Sequence, residues 1–243
     1  ISYRKKQLGT KTPLHLAIGQ ERVAALVSIV RGVGDPLILT HRNLHFNLAA
    51  CLVSCPSEMP RIINTATGID SCGEHAEEGS MNLISSVDSS VHYTSSILAN
   101  GLPVGLGVLS GLLRSGKFPP IAAWLQVGDG SLEEGDFYES VVVATSFRLP
   151  AIFVIEDNGW SLGTSKAERR CEIDIERLAQ AFNVRHIQIE HKVTTSSALL
   201  ELDKARQIAV EEKIPVIAVF RVDIPEITSS SQDRKQFYHH GYV

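Results

Sequence analysis

Cysteine is scarce in this chain. Its 243 residues hold four, at positions 51, 55, 72 and 171, and none forms a C-x-x-C pair. That pattern favours reduced, buried thiols over a disulfide or zinc pair at Cys51 and Cys55, which stand four apart in a helical-looking stretch. Long apolar runs are also missing: none approaches the ~18 residues of a membrane span, so no membrane role is expected. Positive charge is in deficit, with 23 Lys and Arg against 27 Asp and Glu. A net charge of −4 argues against a nucleic-acid-binding surface. Neither an internal repeat nor a signal-peptide pattern is visible, and a cytoplasmic location (the mitochondrial matrix for a eukaryotic chain) is the expectation. What remains is ordinary globular composition, 44% hydrophobic and 21% charged, long enough for an ample core in one large or two small domains.

The order of elements points to an α/β fold. Residues 19–31 place Val23, Leu26, Val27 and Val30 on one helical face. Residues 36–40 read as a short strand, and 47–55 and 60–67 as helices. Residues 71–90 are rich in Gly, Ser, Asp and Glu and read as a long loop, a kind that is usually functional. Residues 100–114 read as a helix holding glycines at 101, 105, 107 and 111. Each costs about 1 kcal/mol in a helix interior, so close backbone approach is expected along this helix. A helix over 174–182 capped by Asp174, a strand over 184–189, a helix over 197–213 and a last strand over 215–222 follow. The alternation predicts a parallel sheet with helices on both faces, in a single domain over residues 1–228 followed by a polar tail, 229–243.

The most informative stretch is 128–158. Residues 122–127 (AAWLQV) are apolar and stopped by Gly128; residues 151–155 (AIFVI) form a second such run, announced by Pro150. Between them, residues 137–148 suffice for one crossover helix, so the two strands are parallel and end on the same sheet edge. Asp129 follows the first strand and Asn158 the second, 29 positions later. A carboxylate and an amide oxygen meeting at the ligand-binding edge, beside a Gly-flanked turn, suit Mg²⁺ carrying a phosphate-bearing ligand.

This segment resembles the thiamine diphosphate signature, GDG followed by about thirty residues and an Asn. The chain is similar to the α subunits of E1 components of 2-oxo acid dehydrogenases, the pyruvate, acetoin and branched-chain enzymes, over residues 12 to about 222. The resemblance implies the thiamine diphosphate-binding fold, in its diphosphate- and Mg-binding domain. Residues 12–21 (TPLHLAIGQE) resemble the start of the family's first core helix. His41 and Arg42 stand where the family holds the diphosphate, and Arg42 brings a planar fork suited to phosphate oxygens. Gly79-Ser80-Met81 resembles the lead into the active-site wall. Residues 94–103 (TSSILANGLP) resemble a segment in which Ser96 and Leu98 would contact the cofactor, with Ser95 and Ser96 also expected to cap the following helix. Gly128, Gly130 and Ser131 would frame the diphosphate with backbone N–H groups. Asp129, Asn158 and the Trp160 carbonyl would bind Mg²⁺. Glu133, Glu134 and Asp136 read as solvated acids of a first helical turn.

Departures from the family pattern are also informative. Residues 43–46 (NLHF) depart from the family's Gly/His-rich run, which weakens the case for His45, the one candidate in this chain for a catalytic role on substrate. Residues 163–169 (GTSKAER) resemble the start of the regulatory loop in shortened form, so control by phosphorylation is not expected. A histidine expected after the last strand is absent, and His239-His240 could replace it only if the tail folds back. Thiamine diphosphate chemistry also needs an activating glutamate from a second domain, for which 243 residues leave no room. The resemblance therefore implies an E1 β-type partner and a heterotetramer, with a lipoyl acyltransferase as one candidate acceptor of the acyl group. Two other readings stay open: the N-terminal half of a split transketolase-like carboligase, and a non-catalytic binding homologue.

Overall fold

The computed structural model describes residues 16–67, 91–116, 120–161 and 163–223. They contain a six-stranded parallel sheet and a two-stranded hairpin. In chain order the elements are α1 (Glu21–Val30), β1 (Leu37–Thr40), α2 (Leu44–Ser54), α3 (Met59–Thr67), β2 (Val91–Ser95), α4 (Gly101–Ser115), β3 (Ala123–Gly128), α5 (Gly135–Ser146) and β4 (Ala151–Asp157). There follow β5 (Trp160–Ser161), β6 (Thr164–Ser165), the one-turn α6 (Lys166–Arg169), α7 (Ile175–Ala181), β7 (Arg185–Ile189), α8 (Thr195–Gln207) and β8 (Val216–Arg221). The residues at 71–90, Gly79-Ser80-Met81, Cys72, the tail and His239-His240 lie outside the described residues.

Across the sheet the strands run β2-β1-β3-β4-β8-β7. Alternation along each strand sends successive side chains to opposite faces. Leu37, Leu39, Trp124, Ile152, Val154, Val216 and Ala218 pack on one side with α1, α2 and α8. Ile38, Ala123, Leu125, Val127, Phe153, Ile155, Ile217 and Val219 pack on the other with α4, α5 and α7. Both faces are covered, which is why the central strands read as unbroken apolar runs rather than alternating ones.

The strand order reverses between β1 and β3. The chain leaving β1 returns on one side as β2, and the chain leaving β3 returns on the other as β4. The diverging connections open a crevice at the carboxyl ends of those two strands. Thr40 to Arg42 and Gly128 to Gly130 are the residues that arrive there.

Several expectations need correction. Ser95 ends a strand, β2, and neither it nor Ser96 caps α4; the N-cap is Asn100. Ser95 Oγ instead donates to Asn100 Oδ1 at 3.1 Å and accepts from Ile97 N at 3.1 Å, bracing the strand-to-helix turn. Of the four glycines of α4, Gly101 and Gly105 pass close to Ile38 and Leu125, while Gly107 and Gly111 face open space. The helix at 44–54 begins at Leu44, so residues 44–46 of the divergent NLHF run are helical and put His45 inside the fold.

Candidate active site

The cleft at the switch point is lined by Gln20, Thr40, His41, Arg42, Ser96, Leu98, Gln126, Gly128, Asp129, Gly130, Glu156, Asn158, Trp160 and Ser161. Thus His41, Arg42, Ser96, Leu98, Gly128, Asp129, Gly130, Asn158 and Trp160, expected from four separate segments, share one opening. Ser131 does not line it. It is wholly buried in the 3₁₀ turn Asp129–Glu133, and its hydroxyl has no hydrogen-bond partner. His45 does not line it either.

Asp129 is 1% exposed at the tip of β3. Burial, and then the negative charge of Asp157, push its carboxyl up to about 6, against the opposing pull of Arg169 and Lys166. Arg169 Nη2 donates to Asp129 Oδ2 at 2.6 Å, and Arg169 Nη1 pairs with Glu133. Glu133 is therefore not a freely solvated acid: Arg169 and Arg170 both hold it. At the tip of β4, Asn158 Oδ1 accepts from Trp160 N at 2.9 Å, closing a turn that carries the chain over the cleft. Beside it, Asp157 takes Lys166 Nζ at 3.0 Å and also pairs with Arg221. Arg42 Nη1 donates to the Leu16 carbonyl at 2.6 Å.

Gly130 explains the glycine of the turn. A Cβ there would stand 2.7 Å from Ser161 Oγ and 3.0 Å from Ser161 Cβ, so a side chain would force Ser161 or the turn to shift. Next to Gly128, by contrast, there is open space. The turn is thus pressed against β5 on one side and open on the other.

Beneath the opening runs a buried polar chain. Gln126 Oε1 accepts from Thr40 N at 2.9 Å, Gln126 Nε2 donates to Glu156 Oε2 at 2.6 Å, and Glu156 Oε1 lies 3.1 Å from His45 Nε2. It ties β1, β3, β4 and α2 together under the cleft floor. His45 Nδ1 is buried with no partner. His45 also borders a separate apolar cavity of about 400 Å³ formed with Leu16, Leu44, Leu48, Leu52 and Met59. A direct part for His45 in chemistry at the cleft is therefore not supported by its placement; it stands behind Glu156.

Gln20, Gln126, Glu156 and Ser161 escaped the sequence reading. Gln126 and Glu156 did leave a signal, as polar residues interrupting otherwise apolar strands. Arg169 left another: Ser165 and Glu168 form a capping box that seats the turn bearing it.

The donor set fits a hard cation joined to an anionic ligand. Asp129 offers a carboxylate, Asn158 an amide oxygen and Trp160 a backbone carbonyl, all hard oxygen donors of the kind Mg²⁺ takes alongside phosphate. Among the described residues no cluster of three or more His, Cys, Asp or Glu could hold a metal alone. A cation here would thus need oxygens from its ligand or from water. No described helix is long and apolar enough to cross a membrane.

Comparison with known proteins bears on the family and the fold. Residues 2–195 match the family described as dehydrogenase E1 component. The pyruvate dehydrogenase E1 component subunit alpha of Rickettsia prowazekii is 27% identical over 176 residues, covering 72% of this chain and 52% of that protein. Its counterpart in Zymomonas mobilis is 27% identical over 197 residues, covering 81% and 52%. This chain spans about half the length of these relatives. Among solved structures, an enzyme from Mycobacterium smegmatis assigned as thiamin diphosphate-dependent superposes with a TM-score of 0.55 at 16% identity, covering 89% of this chain and 34% of that one. Transketolase from Leishmania mexicana gives a TM-score of 0.51 at 16% identity, covering 83% and 30%. Those two likenesses speak for the fold. The match over residues 2–195 identifies the family: the chain belongs to the dehydrogenase E1 component family.

Proposed function

We propose that this chain is the α-type, diphosphate-binding part of a thiamine diphosphate- and Mg²⁺-dependent E1 that decarboxylates a 2-oxo acid. The observation carrying this reading is the convergence of Arg42, Asp129, Gly130 and Asn158 on one cleft at the strand-order reversal. Asp129, Asn158 and the Trp160 carbonyl would hold the cation. The N–H groups of the 128–130 turn, with His41 and Arg42, would bind the diphosphate oxygens, and Ser96 and Leu98, which also line the cleft, would contact the cofactor. When bound, thiamine diphosphate supplies the nucleophilic carbon and the electron sink for loss of CO₂.

The cleft is small, about 120 Å³, where pockets that enclose a drug-sized ligand run to roughly 300–1,000 Å³. It suits one end of the cofactor. The rest would lie against a second surface, in keeping with an E1 β-type partner that brings the activating glutamate and forms a heterotetramer. Two curated relatives are named as alpha subunits, which supports the same division of labour. A lipoyl acyltransferase would then accept the acyl group.

Calorimetry with thiamine diphosphate and Mg²⁺ tests the reading directly. Binding by the native chain and its loss in Asp129→Asn are expected; a silent titration of the native chain would overturn the proposal. Turnover of 2-oxo acids only after addition of a β-type polypeptide is the expected second result, and turnover by the chain alone would refute the two-chain division.

A further inference from the structure

Arg169 lies forty positions beyond Asp129 and outside the Gly-Asp-Gly and Asn signature. Yet its side chain is 11% exposed and reaches under the turn that carries Asp129. Its three kinds of donor are all engaged: Nε on the Thr164 carbonyl at 3.3 Å, Nη1 on the Glu133 carboxylate, and Nη2 on Asp129 Oδ2 at 2.6 Å. The nearest guanidinium nitrogen would stand 3.5 Å from a Cβ at Gly130, ordinary van der Waals contact, so the group lies beside that glycine. Its own base is fixed as well. Ser165 N and Oγ both donate to Glu168 Oε2, at 2.9 and 2.6 Å, and the reciprocal cap holds the single turn of α6 in place. Arg170 Nε lies 3.2 Å from the same Glu133 oxygen, Oε1, as a second ion pair.

A carboxylate can meet a cation with one oxygen or with two, and a hard cation with strict geometry discriminates between the two modes. Arg169 removes the choice by taking Oδ2. From these contacts we infer that Arg169 is a positioning residue for Asp129, fixing the carboxylate so that a single oxygen, Oδ1, is offered to a divalent cation in the cleft. The inference rests on the cation site proposed above. Two effects of the guanidinium oppose each other. Its charge repels a cation, and Glu133, shared between Arg169 and Arg170, offsets only part of that charge. The orienting effect remains, and loss of such outer contacts typically weakens metal affinity by about 10–100-fold.

The test uses Mn²⁺ as the probe, titrated with thiamine diphosphate into the chain and followed by calorimetry and by the electron paramagnetic resonance spectrum of bound Mn²⁺. Arg169→Lys keeps the charge and loses the fork. It should bind Mn²⁺ about 10–100-fold more weakly than the native chain, with an altered spectrum as the carboxylate turns. Glu168→Ala, which loosens the turn without touching Asp129, should weaken binding in the same direction by a smaller factor. Thermal unfolding without the cation confirms that each variant is folded. Native-like affinity in Arg169→Lys, with binding abolished in Asp129→Asn, would overturn the positioning role and leave the cation site standing. Tighter binding in Arg169→Lys would also overturn it, by making the arginine a competitor. No binding by the native chain would bring down the site and the inference together.

Discussion

Gln126 Nε2 and Glu156 Oε2 stand 2.6 Å apart across the β3–β4 pair, two residues out of register and on the same face. Glu156 is 2% exposed, and His45 Nε2 lies 3.1 Å from its other oxygen. Truncating it to Ala strands two buried groups at once. Each unmet buried partner costs about 1–3 kcal/mol, so Glu156→Ala should lose roughly 2–6 kcal/mol, and Glu156→Gln less. Urea unfolding is the measurement, with a lowered midpoint and an unchanged slope expected. An unchanged midpoint in Glu156→Ala would show that the buried chain contributes nothing to stability.

Asp129 gives the pH dependence. Its folded-state carboxyl is raised from 3.8 to about 6, first by burial and then by Asp157. A group raised in the folded state stabilises it fully below the unfolded value, and that contribution fades as pH rises through the folded value. The cation-free chain should therefore lose stability between about pH 4 and pH 6, and Asp129→Asn should flatten that part of the curve. Cation affinity runs the other way, because the ligand must be deprotonated. Mn²⁺ binding should strengthen as pH rises through about 6. Thermal unfolding and Mn²⁺ titration over pH 4–8 check both slopes.

The glycines of α4 separate two physical effects in one helix. A Cβ on Gly105 would meet Leu125 Cδ2 at 2.4 Å and Ile38 Cγ1 at 2.7 Å. Overpacking of this kind costs typically 1–3 kcal/mol, and Gly105→Ala should show it. Gly107 meets nothing within 4 Å, so Gly107→Ala should gain up to about 1 kcal/mol from helix propensity. Opposite shifts in the melting temperature are expected; equal shifts would mean that α4 does not lie against β1 and β3 as described.

Gly130→Ala tests the turn itself. The new methyl would press on Ser161 and move the 128–130 backbone, not the core. Thiamine diphosphate affinity should fall at least tenfold with a melting temperature close to native, and Ser161→Gly in the same chain should recover part of the loss. Calorimetry reads the first effect and thermal unfolding the second.

The β3–α5–β4 unit was legible because each strand is an apolar run bounded by Gly or Pro, and the length between them allows one crossover helix. Asp129 and Asn158 could be assigned to neighbouring strand tips on that basis alone. Strand β2 was not legible. VHYTS is short, with an exposed His92 and a half-buried Tyr93, and it sits at the sheet edge where burial does not write a clear pattern. The adjoining serines read equally well as a helix cap. Arg169 was hidden for a different reason: its capping box is local and readable, but its contact with Asp129 exists only once the β5–β6 hairpin has turned the chain back. Glu156 and Gln126 announced themselves as polar breaks, yet which partner each would find depends on the register of two strands.

The strand-order reversal has a kinetic consequence. The residues around the cleft run from Gln20 to Ser161, and the central β1–β3 pairing joins Leu37 to Trp124 and Ile38 to Leu125. Contacts that span so much chain close late, after the loop entropy between them has been overcome. No early folding intermediate can offer the completed cleft, so a bound ligand can slow unfolding but has nothing to grip while the polypeptide is still searching.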